Sequence, residues 1–185
     1  MNTITLFIDL AIGIGLPLLL TCLRVSGRIS GATWRWFWMG AAIGLLWEVP
    51  LHFAGPYYHT NPLWVNLTPW PLPPLLQPVI HALWDGGIFL VGVGLVRLVC
   101  RSPHFIHFRA REVLVLVLWG VGSALVVELS ANGTSWLYHA RPWNPVLFTL
   151  GGVPYTALPI IIWMIAPLLF YQALLRTSRP TGARP

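Results

Sequence analysis

Two stretches of this 185-residue chain place ionisable side chains inside apolar runs: Trp47-Glu48 is followed at i+4 by His52, and Trp84-Asp85 is preceded at i−4 by His81. A charged group in hydrocarbon costs at least a few kcal/mol, so such residues are functional candidates by default. A carboxylic acid in a dry cavity favours its protonated form, and two neighbouring acids hold a proton between them. An acid of this kind can protonate a carbon–carbon double bond. The resulting carbocation needs negative potential without a nucleophile, which aromatic faces supply. Glu48 and Asp85 are the predicted proton donor and its partner, with His52 and His81 tuning or relaying the proton and Glu128 as a third acid or orienting group. Trp47, Trp84, Tyr155 and Trp163 are the predicted lining that meets the substrate and steadies positive charge, joined by Asp9 from the first span.

The elements that must position these residues are membrane helices. Hydrophobic residues make up 56% of the chain and charged ones only 9%, which takes it out of the soluble class. Five segments are long and apolar enough to cross a hydrocarbon core about 30 Å thick. They run from about Ile4 to Leu23, Trp36 to Phe53, Pro78 to Val99, Val113 to Leu129 and Leu147 to Leu175. The first lacks a basic leader and a cleavage site and reads as a retained helix. The last is over-long, and Pro154, Pro159 and Pro167 predict a tilted or broken helix. Gly40 and Gly44 form a small-xxx-small pair that lets a neighbouring helix come close. Residues 54–76 hold six prolines and several aromatics, which suits either an interfacial lid over a cavity or a plain connector. The predicted fold is all-α: a single five-helix transmembrane domain over residues 1–175 and a polar tail over 176–185.

All eleven basic residues are arginine, and ten of them follow the first, third or fifth span, leaving Arg141 alone on the other side. The positive-inside rule then predicts the N-terminus outside and the C-terminus in the cytoplasm. Topology accounts for the net charge of +6, so nucleic acid is not a predicted partner. At 1.5 Å per residue, Glu48 and Asp85 both fall roughly 10 Å below the outer boundary, with Asp9 and Glu128 in the same leaflet. Glu112 is the exception, beside Arg109 and Arg111 at the inner interface, where an ordinary ion pair accounts for it. His59 and His139 join His52 and His81 on the outer side without clustered metal-ligand spacing, and His104-Phe-Ile-His107 lies on the opposite face. No metal and no cofactor are therefore predicted. Neither a nucleophile elbow, a phosphate loop nor a dinucleotide fingerprint is present. Cys22 and Cys100 read as ordinary membrane cysteines.

The five-span layout, His81-Ala-Leu-Trp-Asp85-Gly86, and a proline-rich last helix carrying Pro154-Tyr155, Pro159, Trp163 and Pro167 resemble the emopamil-binding, or EXPERA, superfamily. Its sterol isomerases carry a His-x-x-x-Glu-Gly pattern, where this chain has Asp85. Trp47-Glu48 and Asp85-Gly86 also resemble motifs of integral-membrane terpene cyclases, which use a Glu and an Asp to protonate an olefin or epoxide, though those have more helices. Both resemblances imply acid protonation of a lipophilic substrate to a cation. The resulting expectation is an isomerase or cyclase of a sterol-like or terpenoid lipid, in a bacterial inner membrane or a membrane of the endoplasmic reticulum type. Its expected partners are a lipophilic small-molecule substrate and membrane lipid, with a homodimer admitted. A non-catalytic lipid binder and a proton-coupled transporter are the alternatives.

Overall fold

The computed structural model describes the backbone of residues 3–178 and the side chains from residue 6 onward. It contains five long α-helices: α1 (Thr3–Val25), α2 (Gly31–Phe53), α3 (Gln77–Val99), α4 (Ala110–Ala131) and α5 (Ala157–Ser178). Four helical segments, Leu6–Val25, Pro74–Val99, Ala110–Ala131 and Ala157–Ser178, are long and apolar enough to cross a membrane, consistent with an integral membrane protein. The remaining helix, α2, has 23 residues and matches them in length, but it carries Arg35 and Glu48 and a polar N-terminal turn. That turn starts at Ser30, whose hydroxyl accepts a hydrogen bond from the Thr33 amide at 3.0 Å, an ordinary N-cap.

Helix α3 is the centre of the arrangement, packing against α2, α1 and α4, while α5 closes against α4 and α2. The glycine pair read in α2 faces α3. A Cβ on Gly40 would lie 2.9 Å from the Phe89 ring and 3.1 Å from the Gly86 Cα, and one on Gly44 would lie 3.1 Å from the Ala82 Cα. Below this seam Phe37, Phe89, Val96, Leu116 and Phe170 fill a core that water does not reach.

The end that carries the α2–α3 and α4–α5 connections, the outer end in the predicted orientation, is not all-α as predicted. Strand β1 (Trp64–Asn66) lies within the proline-rich segment and pairs antiparallel with β2 (Trp136–Tyr138) from the connection between α4 and α5. Strands β3 (Val146–Leu150) and β4 (Val153–Thr156) form a hairpin that turns at Gly151 and Gly152, at φ +57° and +81°, a conformation that glycine adopts without strain. The predicted fifth span therefore begins ten residues late, because an uncharged apolar hairpin precedes the helix and hydropathy cannot separate the two. Asn144 marks the junction: it is fully buried and its Oδ1 accepts from the Leu158 amide at 2.8 Å in the first turn of α5. Helix α5 also continues to Ser178, past the predicted tail boundary at 176, and the rest of the tail lies outside the described residues.

Two contacts fasten the cap. The Trp64 indole donates to the Leu51 carbonyl at 2.7 Å, which is free because the Gly55 amide bonds to His52 instead. Arg141 donates to Asn61 Oδ1 at 2.6 Å and to the Pro62 carbonyl at 2.8 Å. At the inner end Glu112 is not a surface ion-pair residue. It is fully buried and accepts from the Tyr171 hydroxyl at 2.9 Å and the Phe105 amide at 3.3 Å, with the Arg109 guanidinium farther off at 3.9 Å. It clasps the α3–α4 loop against α5.

Two glycines of α3 make the helix seam testable. A Cβ on Gly86 would stand 2.8 Å from the Phe37 carbonyl oxygen, whereas one on Gly94 meets nothing within 4 Å. Gly86→Ala is expected to destabilise the protein by about 1–3 kcal/mol through overpacking. Gly94→Ala is expected to be neutral or to gain up to about 1 kcal/mol of helix propensity. Thermal unfolding of both variants in detergent checks this; equal midpoints would contradict the seam.

Candidate functional site

A cavity of about 300 Å³ lies at the outer end of the helices, lined from α1, α2, α3, α4 and α5 and roofed by residues of the cap. Period-3.6 placement brings Gln77, His81, Asp85 and Ile88 of α3 down one wall. His81 is the point of convergence. Its Nε2 lies 3.2 Å from Asp9 Oδ2 on α1, and its Nδ1 lies 3.3 Å from Glu48 Oε2 on α2. Each contact needs one hydrogen between its heavy atoms, so the trio holds two exchangeable protons whichever atoms carry them. Trp84 reinforces the link by donating from its indole to the Asp9 carbonyl at 2.8 Å.

Asp85 stands apart from this bridge. It is only 6% exposed, and its Oδ2 has no hydrogen-bond partner. The space it occupies exists because residue 44 is glycine: a Cβ there would lie 2.6 Å from Asp85 Oδ2. Glu48 is thus level with His81, while Asp85 is level with Gly44, one turn farther in. The sequence placed the two acids at one depth, each with its own histidine; helix register staggers them instead and gives His81 to Glu48.

His52 departs further from expectation. It lines the cavity, yet both ring nitrogens are buried without partners, and its ring sits among Phe53, Tyr57 and Tyr58 at centroid distances of 5.7, 5.6 and 5.4 Å. It makes no hydrogen bond to the acids. Glu128 enters from α4. Trp47 and Trp163 meet at 5.8 Å and 65°, and Phe89 closes the triangle at 6.4 and 5.4 Å, giving the cavity an aromatic wall deeper than the bridge. Tyr155 is not part of that wall. It belongs to β4, stacks on Phe148 at 4.8 Å and 11°, and is absent from the lining, because its segment is a hairpin strand rather than a helix.

Several lining residues escaped the sequence reading. Trp64 and Trp70 look like interfacial anchors in sequence but are turned inward as part of the roof, and Asn66, Gln77, Trp136 and Tyr138 join them. For Trp64, Asn66, Trp136 and Tyr138 the signal is a strand pairing across 70 residues and is not local, whereas Gln77 follows from its place one helical turn before His81. The Tyr138 phenol shows what surrounds it: burial pushes it well above its usual value of 10, and the nearby carboxyls of Glu128, Glu48 and Asp85 push further in the same direction. Asn132, in an Asn-Gly-Thr tripeptide, is 3% exposed and spends its amide on the Pro154 carbonyl at 2.8 Å, so it is no surface acceptor for sugar.

Comparison with known proteins finds no matching family model, no matching curated protein and no matching solved structure.

A phenol with a raised folded-state pKa stays neutral where the unfolded chain would ionise. Its contribution to stability is complete below pH 10 and lost as pH rises through the folded value. Ultraviolet titration of wild type minus Tyr138→Phe is expected to give a step well above pH 10, and Glu128→Gln is expected to lower that midpoint. An unshifted step near pH 10 would place Tyr138 away from the acids.

Proposed function

We propose that this protein is an integral-membrane isomerase or cyclase that protonates an olefin or epoxide of a sterol-like or terpenoid lipid with a carboxylic acid. The observation that carries the reading is the placement of Asp85, a buried carboxyl with a free oxygen, in one cavity with the Asp9–His81–Glu48 bridge and the Trp47–Trp163 wall. Asp85 is the donor to the substrate, and Glu48, held by His81, is its partner and proton source. Once the olefin carbon is protonated, or the epoxide oxygen is protonated and its C–O bond opens, positive charge develops against the aromatic faces of Trp47 and Trp163, which attract it without forming a bond. A carboxylate then removes a proton from a neighbouring carbon, so the acid pair ends the cycle as it began.

In the same proposal α2 is the fifth span. The arginines after α1, α3 and α5 face the cytoplasm, and the cavity opens toward the outer leaflet of a bacterial inner membrane or a membrane of the endoplasmic reticulum type. The resemblance of His81-Ala-Leu-Trp-Asp85-Gly86 to the EXPERA pattern supports the same chemistry. A second reading, lipid binding without turnover, is favoured by one feature: both nitrogens of His81 are already committed to carboxylates, as in a purely structural tie.

Glu48→Gln and Asp85→Asn separate the two. General acid catalysis is worth about 10²–10⁴ in rate, so each variant is expected to lose product formation at least about 100-fold while retaining bound lipid. Untargeted lipid mass spectrometry of membranes expressing each variant checks this. Full product formation in both variants sinks the acid mechanism, and bound lipid with no product even in wild type favours the binder.

A further inference from the structure

The roof of the cavity holds polar atoms that the proton chemistry does not use. Gln77, in the first turn of α3, is only 4% exposed, and its Nε2 donates to Asn66 Oδ1 at 3.3 Å. Asn66 Nδ2 donates in turn to the Tyr57 hydroxyl at 3.0 Å. In this arrangement the Gln77 NH₂ faces the cap, and its carbonyl Oε1 is left buried without a partner. The Trp70 indole N–H is likewise buried without a partner. Its ring stands edge-on to His81, with centroids 5.9 Å apart and planes at 79°. Gln77 lies one helical turn outward from His81 on the same face of α3, and both Gln77 and Trp70 line the cavity.

An unpaired buried polar group costs about 1–3 kcal/mol, and native proteins leave few of them. The Trp136 indole N–H is also buried without a partner, in a ring whose centroid stands 6.3 Å from that of His81, and beside it the Gln77 acceptor and the Trp70 donor are left open around the same imidazole. They are complementary to a group that accepts one hydrogen bond and donates another.

We propose that Gln77 and Trp70 form a binding subsite for the hydroxyl group of a lipid alcohol, Trp70 donating to the oxygen and Gln77 accepting its hydrogen. An ether, ketone or epoxide oxygen has no hydrogen for Gln77, and an alkylammonium has no lone pair for Trp70. With the hydroxyl at the roof, the hydrocarbon runs inward past the bridge. Gln77 and Asp85 are eight residues apart on one helix face, about 12 Å along its axis. The inference rests on the acid mechanism proposed above for one consequence only: the reacting double bond lies roughly that distance from the hydroxyl.

The test compares ligand pairs differing in that hydrogen alone. The purified protein in lipid nanodiscs is titrated with farnesol and farnesyl methyl ether, and with cholesterol and cholesterol methyl ether, following quenching of tryptophan fluorescence. At least one alcohol is expected to bind tenfold or more tightly than its ether, and the pair that shows this identifies the lipid as prenyl or sterol. Gln77→Leu is expected to bring that ratio to within twofold while leaving the ether's affinity unchanged. Trp70→Phe keeps the ring, loses only the N–H, and is expected to do the same if Gln77→Leu fails to fold. Equal affinities in both pairs, as when the free groups hold only a water, overturn the proposal, and so does discrimination that survives both substitutions. Glu48→Gln and Asp85→Asn are expected to leave the ratio intact. If they keep full activity the acid mechanism fails and the subsite stands, whereas if they lose activity and wild type shows no ratio the subsite fails alone.

Discussion

One imidazole between two carboxylates holds the outer half of this protein together. Asp9 and Glu48 come from α1 and α2, and brought close without an intervening group they would repel each other and leave two anions in an apolar surround. His81 on α3 turns that repulsion into two hydrogen bonds, at 3.2 and 3.3 Å. Beyond apolar and glycine contacts such as Gly13 on Ile80, the bridge and the Trp84 indole bond to the Asp9 carbonyl are the polar interactions that set the position of α1. The cavity wall follows from the bridge. Asp85 is left free because His81 is occupied elsewhere and Gly44 leaves room beside it.

The two ends of the bundle use their polar residues differently. At the inner end both hydrogen bonds to Glu112, from Tyr171 and the Phe105 amide, go to Oε2, while Oε1 has only His104 and Arg109 near it at 3.8 and 3.9 Å. At the outer end carboxyls, indoles and an amide surround open space. A binding site is marked by polar atoms left open toward a cavity. Gln77 Oε1, Trp70 Nε1 and Asp85 Oδ2 are open in this sense, and each belongs to a residue lining the cavity.

Much of this was legible in the sequence, because membrane helices announce themselves locally. The helix ends of α1, α2, α3 and α4 fall within a few residues of prediction, and the convergence of Asp9, Glu48, His81, Asp85 and Glu128 on one cavity follows from depth alone. Depth does not give rotation about the helix axis or stagger between helices, which is why His81 was assigned to Asp85 and not to Glu48. It also cannot tell an apolar strand from an apolar helix turn. Tyr155 was lost to that ambiguity, since Val146–Thr156 carries no charge to break the hydropathy run. The roof residues Trp64, Trp136 and Tyr138 depend on β1 meeting β2 far along the chain, a pairing that no local pattern encodes.

The central claim is that a carboxyl in this cavity delivers its proton to the lipid, to carbon where the substrate is an olefin. Membranes containing the wild-type protein, incubated with their native lipids in D₂O, report on that directly by mass spectrometry. The account predicts a lipid product that retains one carbon-bound deuteron after exchange back into H₂O and that is missing from membranes carrying the Asp85→Asn protein. An olefin product formed in D₂O with no carbon-bound deuterium, or a product that forms equally with the Asp85→Asn protein, would contradict it.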